Sequence, residues 1–259
     1  MKLNRVPART GLLWVKLGIQ TFLRQPLALA GLFFMFMLAV SVLTLVPLVG
    51  AAMALALLPA ATLGLMAATR EVTTGSFPMP AVLASAFRAG RERVRSMLVL
   101  GGLYAIGSLL IMLLAALIAG DPGSALQQGT EITEEALREP AIVRNLVVNM
   151  VLYVPLGLLF WHAPALVHWH GITPVKSLFF SALACWANKG AMLVYFLAWS
   201  AVFMLIALAV VMLASVLGGA QLLSVLMFPM AMLMSAMFFT SVYFTFRDSF
   251  ITDDGQTPA

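Results

Sequence analysis

The three histidines of the chain, His162, His168 and His170, lie within ten residues of one another. Clustered imidazoles could bind a metal ion or carry protons. In a helix, however, residues 168 and 170 point about 200° apart, and no nearby carboxylate could act as a further ligand or orient a ring. A bis-histidine haem would need ligands on facing helices. We interpret the three as amphipathic histidines at the end of a membrane span, beside Trp161 and Trp169, with a weak metal or proton site as the alternative.

Sulfur-containing residues form the second group that could do chemistry. Among 17 methionines, Met230 and Met234 have the Met-x3-Met spacing of copper-binding helices, because thioethers can bind Cu(I). Methionine is also a flexible filler of apolar helix seams, which is the interpretation we favour. The single cysteine, Cys185, can form neither an intramolecular disulfide nor a thiolate cage. We therefore expect no cofactor.

Enzyme motifs are absent from the sequence. It contains no Gly-x4-Gly-Lys-Ser/Thr loop, no His-Glu-x2-His pair and no Gly-x-Ser-x-Gly elbow. The basic loops described below hold only Glu71 and Glu92 as general acids or bases. The sequence predicts a protein that is not an enzyme.

The composition excludes a soluble domain. Of the 259 residues, 62% are hydrophobic and 10% are charged, which leaves too little polar surface to cover a globule in water. The net charge of +5 could indicate nucleic acid, but the basic residues lie beside apolar segments, where lipid headgroups would be. Membrane lipids are therefore the expected partners, and nucleic acid is not.

Intervals without charge define the elements that must carry these residues. There are 45 uncharged positions between Arg24 and Arg70 and 57 between Lys189 and Arg247. A 57-residue helix would be about 86 Å long, whereas the hydrocarbon core is about 30 Å thick, so each interval must turn back once. Two shorter intervals hold one span each. The predicted spans are 27–46, 51–68, 97–119, 146–167, 191–213 and 222–246, all within a single membrane domain, residues 1–259.

The net charge of the segments that connect the spans alternates in sign. Residues 1–26 and the loop between spans two and three are basic, whereas the loop 120–145 is acidic. Because lysine and arginine are retained in the cytoplasm, we predict a bacterial inner-membrane protein with cytoplasmic termini, a periplasmic loop at 120–145 and a cytoplasmic tail at 247–259.

Three segments that precede spans resemble amphipathic surface helices. They cover residues 8–23, 80–95 and 173–190. The predicted fold is all-α, with six transmembrane helices in three hairpins, each preceded by a cytoplasmic interfacial helix. The internal prolines Pro59, Pro155, Pro164 and Pro229 are expected to kink the spans without ending them.

Basic residues near the second and third surface segments are candidates for contact with lipid headgroups or a protein partner. These residues are Arg88, Arg91, Arg93, Arg95 and Lys176. Such side chains hold a loop in the cytoplasm and attract anionic headgroups. The more specific alternative is that they dock to an acidic partner.

Two short motifs carry a resemblance to known proteins. They are the Pro-Ala-Leu-Val run and Gly-x2-Pro turn within residues 161–177, and the segment Phe-Leu-Arg-Gln-Pro-Leu at residues 22–27. On these motifs the chain resembles a family of uncharacterised six-span inner-membrane proteins of proteobacteria. More distantly it is similar to YciC-like proteins and to the membrane domain of some glycerophosphodiester phosphodiesterases. The resemblance implies proximity to lipid metabolism and no particular activity.

The sequence thus predicts a structural, assembly or regulatory membrane component that acts through protein and lipid contacts, with a membrane-protein partner or a second copy of the chain as candidate partners. The alternative is a channel or transporter for a small neutral or lipid-like solute. No Asp, Glu, Lys or Arg lies inside the predicted spans, which argues against ion-coupled transport.

Overall fold

The computed structural model describes residues 2–119, 140–217 and 219–251. Within them the chain folds into α-helices joined by short connections, with one 3-10 helix at Pro80–Phe87 and two strands of two residues. The elements are β1 (Lys2–Leu3), α1 (Thr10–Arg24), α2 (Pro26–Thr44), α3 (Gly50–Thr73), α4 (Arg91–Ala119), α5 (Pro140–Phe160), α6 (Ala163–His170), α7 (Pro174–Ala187), α8 (Lys189–Leu217), α9 (Gly219–Ser249) and β2 (Phe250–Ile251).

The protein is an all-α polytopic membrane protein. Six helical segments in the described residues are long and apolar enough to cross a bilayer. They cover Pro26–Thr44, Gly50–Thr73, Arg91–Ile118, Val143–His170, Lys189–Val216 and Val225–Ser249. The predicted fold class and number of spans are confirmed, whereas the grouping into three hairpins stays a prediction. Most of the acidic loop lies outside the described residues.

Helix α3 occupies the centre of the bundle. Half of its apolar stretch is buried, compared with 11% for α8. It packs against α2, α4, α9 and the 3-10 helix. Its many alanines and glycines allow this, because small residues let neighbouring backbones approach closely without lipid between them. The outer helices present large apolar side chains to the surroundings, as lipid-facing surfaces do.

The two ends of the described chain meet at one end of the bundle, which we call the terminus-bearing end. Strand β1 pairs with β2 in antiparallel fashion. The side chain of Asn188, 2% exposed, accepts a hydrogen bond from the backbone N–H of Val6 at 2.9 Å and donates to the carbonyl of Asn4 at 3.0 Å. The indole Nε1 of Trp14 donates to Asp248 Oδ2 at 2.9 Å. These contacts join the N-terminal segment to the start of α8 and the end of α9.

The fourth span is broken at its last third. We predicted a continuous helix over 146–167, but α5 ends at Phe160 and α6 begins at Ala163 with Pro164 in its first turn. The backbone N–H of His162 donates to Ser181 Oγ at 2.9 Å, and that hydroxyl donates to the Leu158 carbonyl at 2.8 Å. The Ser181 hydroxyl thus replaces the helical hydrogen bond between His162 and Leu158, and Pro164 has no N–H to continue the ladder. The prolines Pro59, Pro155 and Pro229 lie inside α3, α5 and α9.

The surface segments differ from one another. The first and third form the separate helices α1 and α7, with Pro174 at the first position of α7 as expected. The second is not one helix, because the 3-10 helix ends before Arg88 and Gly90 adopts φ 90°. This left-handed conformation suits glycine and separates the 3-10 helix from α4. Arg91, Arg93 and Arg95 therefore lie in the first turns of a membrane-spanning helix. An interfacial position for α1 and α7 stays a prediction.

Candidate functional site

The structure distributes the three histidines among different surroundings. His162 is completely buried at the break between α5 and α6. His168 lines a cavity near the end of α3, and His170 packs its ring against Phe246 with centroids 5.9 Å apart. Within the described ranges, no three His, Cys, Asp or Glu side chains converge as a metal site would require. The metal or proton role of the histidines stays a prediction.

His162 and Cys185 form a buried contact between the two residue types that act as nucleophile and general base in cysteine-dependent enzymes. The Sγ atom of Cys185 lies 3.8 Å from His162 Nδ1. On the other side of the ring, Nε2 lies 3.2 Å from Thr245 Oγ1, whose hydroxyl donates to the Val242 carbonyl. Because that hydroxyl proton is already used, Nε2 carries the imidazole proton and Nδ1 is left as an acceptor facing the thiol.

This pair is not set up for nucleophilic catalysis. Burial raises the pKa of the Cys185 thiol to about 12, so the thiol is protonated at neutral pH. Both side chains are covered by neighbouring helices, with 2% of Cys185 and none of His162 exposed. A thiolate nucleophile needs a lowered pKa and access for its substrate. We interpret the pair as packing that holds α6 against α7 at the helix break.

The methionine pair lies on α9. Met234 is 3% exposed and belongs to the central apolar cluster, and Met230 is partly buried one turn earlier. This placement suits the role of a packing residue. Copper binding by Met230 and Met234 stays a prediction.

The strongest candidate site is a cavity of about 700 Å³ at the terminus-bearing end, which we call the basic pocket. It lies where α3 ends and α4 begins, under the 3-10 helix. The packing of Trp169 against Phe246, with centroids 5.2 Å apart, holds α6 at the same end of the bundle. The lining residues are Glu71, Ser76, Phe77, Met79, Ala81, Val82, Ser85, Arg88, Ala89, Arg93 and His168.

The polar groups of the basic pocket lack partners in the protein. Among the residues that the structure describes, Arg88, Arg93 and Glu71 form no side-chain hydrogen bond or ion pair. Ser85 Oγ and His168 Nδ1 are shielded from solvent and also have no hydrogen-bond partner. Buried polar atoms are nearly always paired, and Ser85 Oγ and His168 Nδ1 are exceptions to this rule, whereas water can solvate the exposed Arg88 and Arg93 and the partly buried Glu71. The charged groups and the two unpaired buried atoms together make this cavity the strongest candidate for a ligand site.

Local structure explains which basic residues line the pocket. The 3-10 helix directs Arg88 to the cavity, and the turn at Gly90 brings Arg93, on the first turn of α4, to its other side. All five predicted basic residues are exposed, but Arg91, Arg95 and Lys176 do not line the cavity. The structure thus brings together Arg88 and Arg93 with His168, a combination that the sequence analysis did not predict.

Several pocket residues were missed at the sequence level. Ser76 lies in a connecting segment with glycine and proline, and Ser85 lies in the segment 80–95 that we predicted as an amphipathic helix; neither serine gave a signal of a site. Glu71 was visible only as one of two acids among the arginines of its loop. A carboxylate in the basic loop between spans two and three was the one available hint of a polar site.

A second concavity, the apolar groove, separates α1 from α8. Its volume is about 440 Å³, and it is lined by Leu12, Val15, Lys16, Ile19, Gln20, Ala198, Ala201 and Val202. Lys16 and Gln20 are its only polar side chains. The groove is suited to an acyl chain rather than to a polar solute.

Comparison with known proteins supports the membrane assignment. The chain is 37% identical over 264 residues to a probable inner membrane protein of Burkholderia thailandensis, with 100% of this chain and 97% of that protein aligned. No protein-family model matches the sequence, and no solved structure matches it. The similarity to YciC-like proteins and to phosphodiesterase membrane domains stays a prediction.

Proposed function

Because the chain belongs to the family of inner membrane proteins represented by this Burkholderia thailandensis relative, we propose that it is a non-enzymatic membrane component that binds phospholipid headgroups in the basic pocket. In this proposal the protein has a structural, assembly or regulatory role, exerted through lipid contacts and through a membrane-protein partner or a second copy. Its termini and the basic pocket face the cytoplasm, in accordance with the distribution of lysine and arginine.

The observation that carries the proposal is the pair of unpaired guanidinium groups, Arg88 and Arg93, on one cavity. Guanidinium groups bind phosphate oxygens through two parallel hydrogen bonds, which makes arginine the preferred residue for this ligand. Ser85 Oγ and His168 Nδ1 are shielded from solvent, so they can add hydrogen bonds to the ligand only after their side chains rotate toward the cavity. The set of donors fits a phosphate group.

The position of the pocket favours phosphate that belongs to a lipid. It lies between the last turn of α3 and the first turn of α4, where two membrane spans leave the apolar layer. Basic residues at this level attract lipid headgroups, each contributing about 1 kcal/mol near an anionic surface. Headgroup phosphates are therefore the most concentrated phosphate source at the pocket.

The test is native mass spectrometry of the protein purified in mild detergent, with added phospholipid. We expect Arg88→Gln with Arg93→Gln to weaken lipid binding by about tenfold or more, because each variant removes a charge-assisted hydrogen bond of about 1.5–3 kcal/mol. The matched control is Arg91→Gln with Arg95→Gln, which removes the same charge from neighbouring exposed positions. Equal lipid binding by the two double variants would contradict the proposal. Proteins that copurify in the same preparation would identify a partner.

The apolar groove supports a second candidate, transport of a lipid-like solute. Its mainly apolar lining, with Lys16 at one side, resembles a surface for an acyl chain and its headgroup. The assay is movement of a fluorescent phospholipid between the leaflets of proteoliposomes. Accelerated movement that Ala201→Trp abolishes would favour the transporter, whereas movement at the protein-free rate would favour the binding role.

A further inference from the structure

The basic pocket contains one carboxylate besides its two guanidinium groups. Glu71, on the last turns of α3, lines the same cavity as Arg88 and Arg93. Its neighbour in sequence, Arg70, points elsewhere and lies over the ring of Trp169, 5.6 Å from the centroid. Along the parts of the chain that the structure describes, Glu71 has no ion-pair partner. Opposite charges thus share a cavity without neutralising each other.

Arg88 and Arg93 are exposed and Glu71 is partly buried, so water solvates their charges, and a ligand that covers the cavity has to replace that water at all three groups. A purely anionic ligand would satisfy the arginines but would be repelled by Glu71. A ligand with a phosphate and a cation would pair with both. The lining therefore has the charge pattern of a zwitterionic ligand.

We propose that the basic pocket selects a phospholipid headgroup of the ethanolamine type, which carries a phosphodiester and a primary ammonium. This inference rests on the proposed function and specifies its ligand. The phosphate binds Arg88 and Arg93, and the ammonium donates to the Glu71 carboxylate. A primary ammonium is positively charged and has three N–H donors, so it can pair with the Glu71 carboxylate. A glycerol headgroup would place only an uncharged hydroxyl beside this carboxylate.

Apolar residues at the same cavity favour the lipid over a soluble phosphoester. Phe77 and Met79 are each 63% exposed and line the pocket together with Val82. They provide an apolar surface next to the charged groups, which a glycerol backbone and the first methylenes of its acyl chains would cover. A soluble headgroup would leave this surface exposed.

The experiment measures binding of phosphatidylethanolamine and phosphatidylglycerol to the full-length protein by native mass spectrometry. We expect the wild type to prefer phosphatidylethanolamine by about tenfold, the effect of one charge-assisted hydrogen bond. Glu71→Gln should abolish this preference and retain phosphatidylglycerol binding, which also shows that the variant is folded. The matched control is Glu92→Gln, which removes the exposed carboxylate of α4 that does not line the pocket.

The outcomes separate this inference from the proposed function. If the wild type and Glu71→Gln bind both lipids equally well, and the Arg88 and Arg93 variant binds neither, the headgroup assignment is wrong and the proposed function stands. If the arginine variant binds both lipids like the wild type, the proposed function fails as well. If an equal concentration of glycerophosphoethanolamine displaces the lipid, the claim that the bound headgroup belongs to a lipid is wrong.

Discussion

Two adjacent glycines in α4 allow a sharp test of the packing between α3 and α4. A Cβ atom placed on Gly101 would lie 2.3 Å from the backbone oxygen of Ala56 in α3, whereas one placed on Gly102 would have no atom within 4 Å. Because the obstructing atom belongs to the backbone, a side chain at residue 101 can be accommodated only if a helix moves. Gly101→Val should therefore separate the two helices, and Gly102→Val should not.

The expected cost of the clash is the difference in the free energy of unfolding between the two variants. Both replace glycine with the same β-branched residue in the same helix, so changes in helix propensity, below about 1 kcal/mol, nearly cancel. The remaining difference is overpacking, which typically costs about 1–3 kcal/mol. We expect Gly101→Val to lower the free energy of unfolding by this amount relative to Gly102→Val.

The assay is equilibrium unfolding in mixed micelles of dodecyl maltoside and SDS, followed by tryptophan fluorescence. The predicted result is a transition of Gly101→Val at a lower SDS fraction than that of Gly102→Val, with wild type close to the latter. Coincident transitions would refute the close approach of α3 and α4 at Ala56.

Further predictions concern the thiol, the terminus-bearing end and the topology. Because burial raises the pKa of Cys185 from 9.0 to about 12, its thiolate fraction near pH 8 is about 1000-fold lower than that of an unperturbed thiol. Maleimide labelling of Cys185 in the native protein should therefore be slow and become faster as the pH rises, and rapid labelling at pH 7 would contradict the buried position. Asn188→Ala leaves the backbone N–H of Val6 and the carbonyl of Asn4 unpaired, which costs about 1–3 kcal/mol for each group. Limited proteolysis should then cleave the N-terminal segment sooner than in wild type, and an unchanged cleavage rate would show that these hydrogen bonds do not hold the segment. Reporter fusions at Arg91 and within 131–139 should lie on opposite sides of the membrane, and activity of both on one side would overturn the charge-based orientation.

The number of spans was predictable because it depends on one-dimensional properties of the chain. Ionised side chains are costly in lipid, so the uncharged intervals between Arg24 and Arg70 and between Lys189 and Arg247 had to hold two spans each. The start of α7 was also predictable, because Pro174 is suited to the first position of a helix. These features depend on residues that are close together in sequence.

The helix break and the basic pocket depend on residues that are distant in sequence. The break at His162 requires the Ser181 hydroxyl from another helix, and Pro164 alone predicted only a kink. In the basic loop, Arg88 and Arg91 look equivalent in sequence, but the turn at Gly90 places only Arg88 at the cavity. His168 lies at the cavity because α6 packs against α3 and α4, which no local pattern could indicate.

The most direct test of the account is an experimental structure of the full-length protein in nanodiscs that contain phosphatidylethanolamine. We expect density for a headgroup in the basic pocket, with the phosphate within hydrogen-bond distance of Arg88 and Arg93 and the ammonium at Glu71. A direct ion pair between Glu71 and either arginine, with ordered lipid only along the outer faces of the helices, would contradict it.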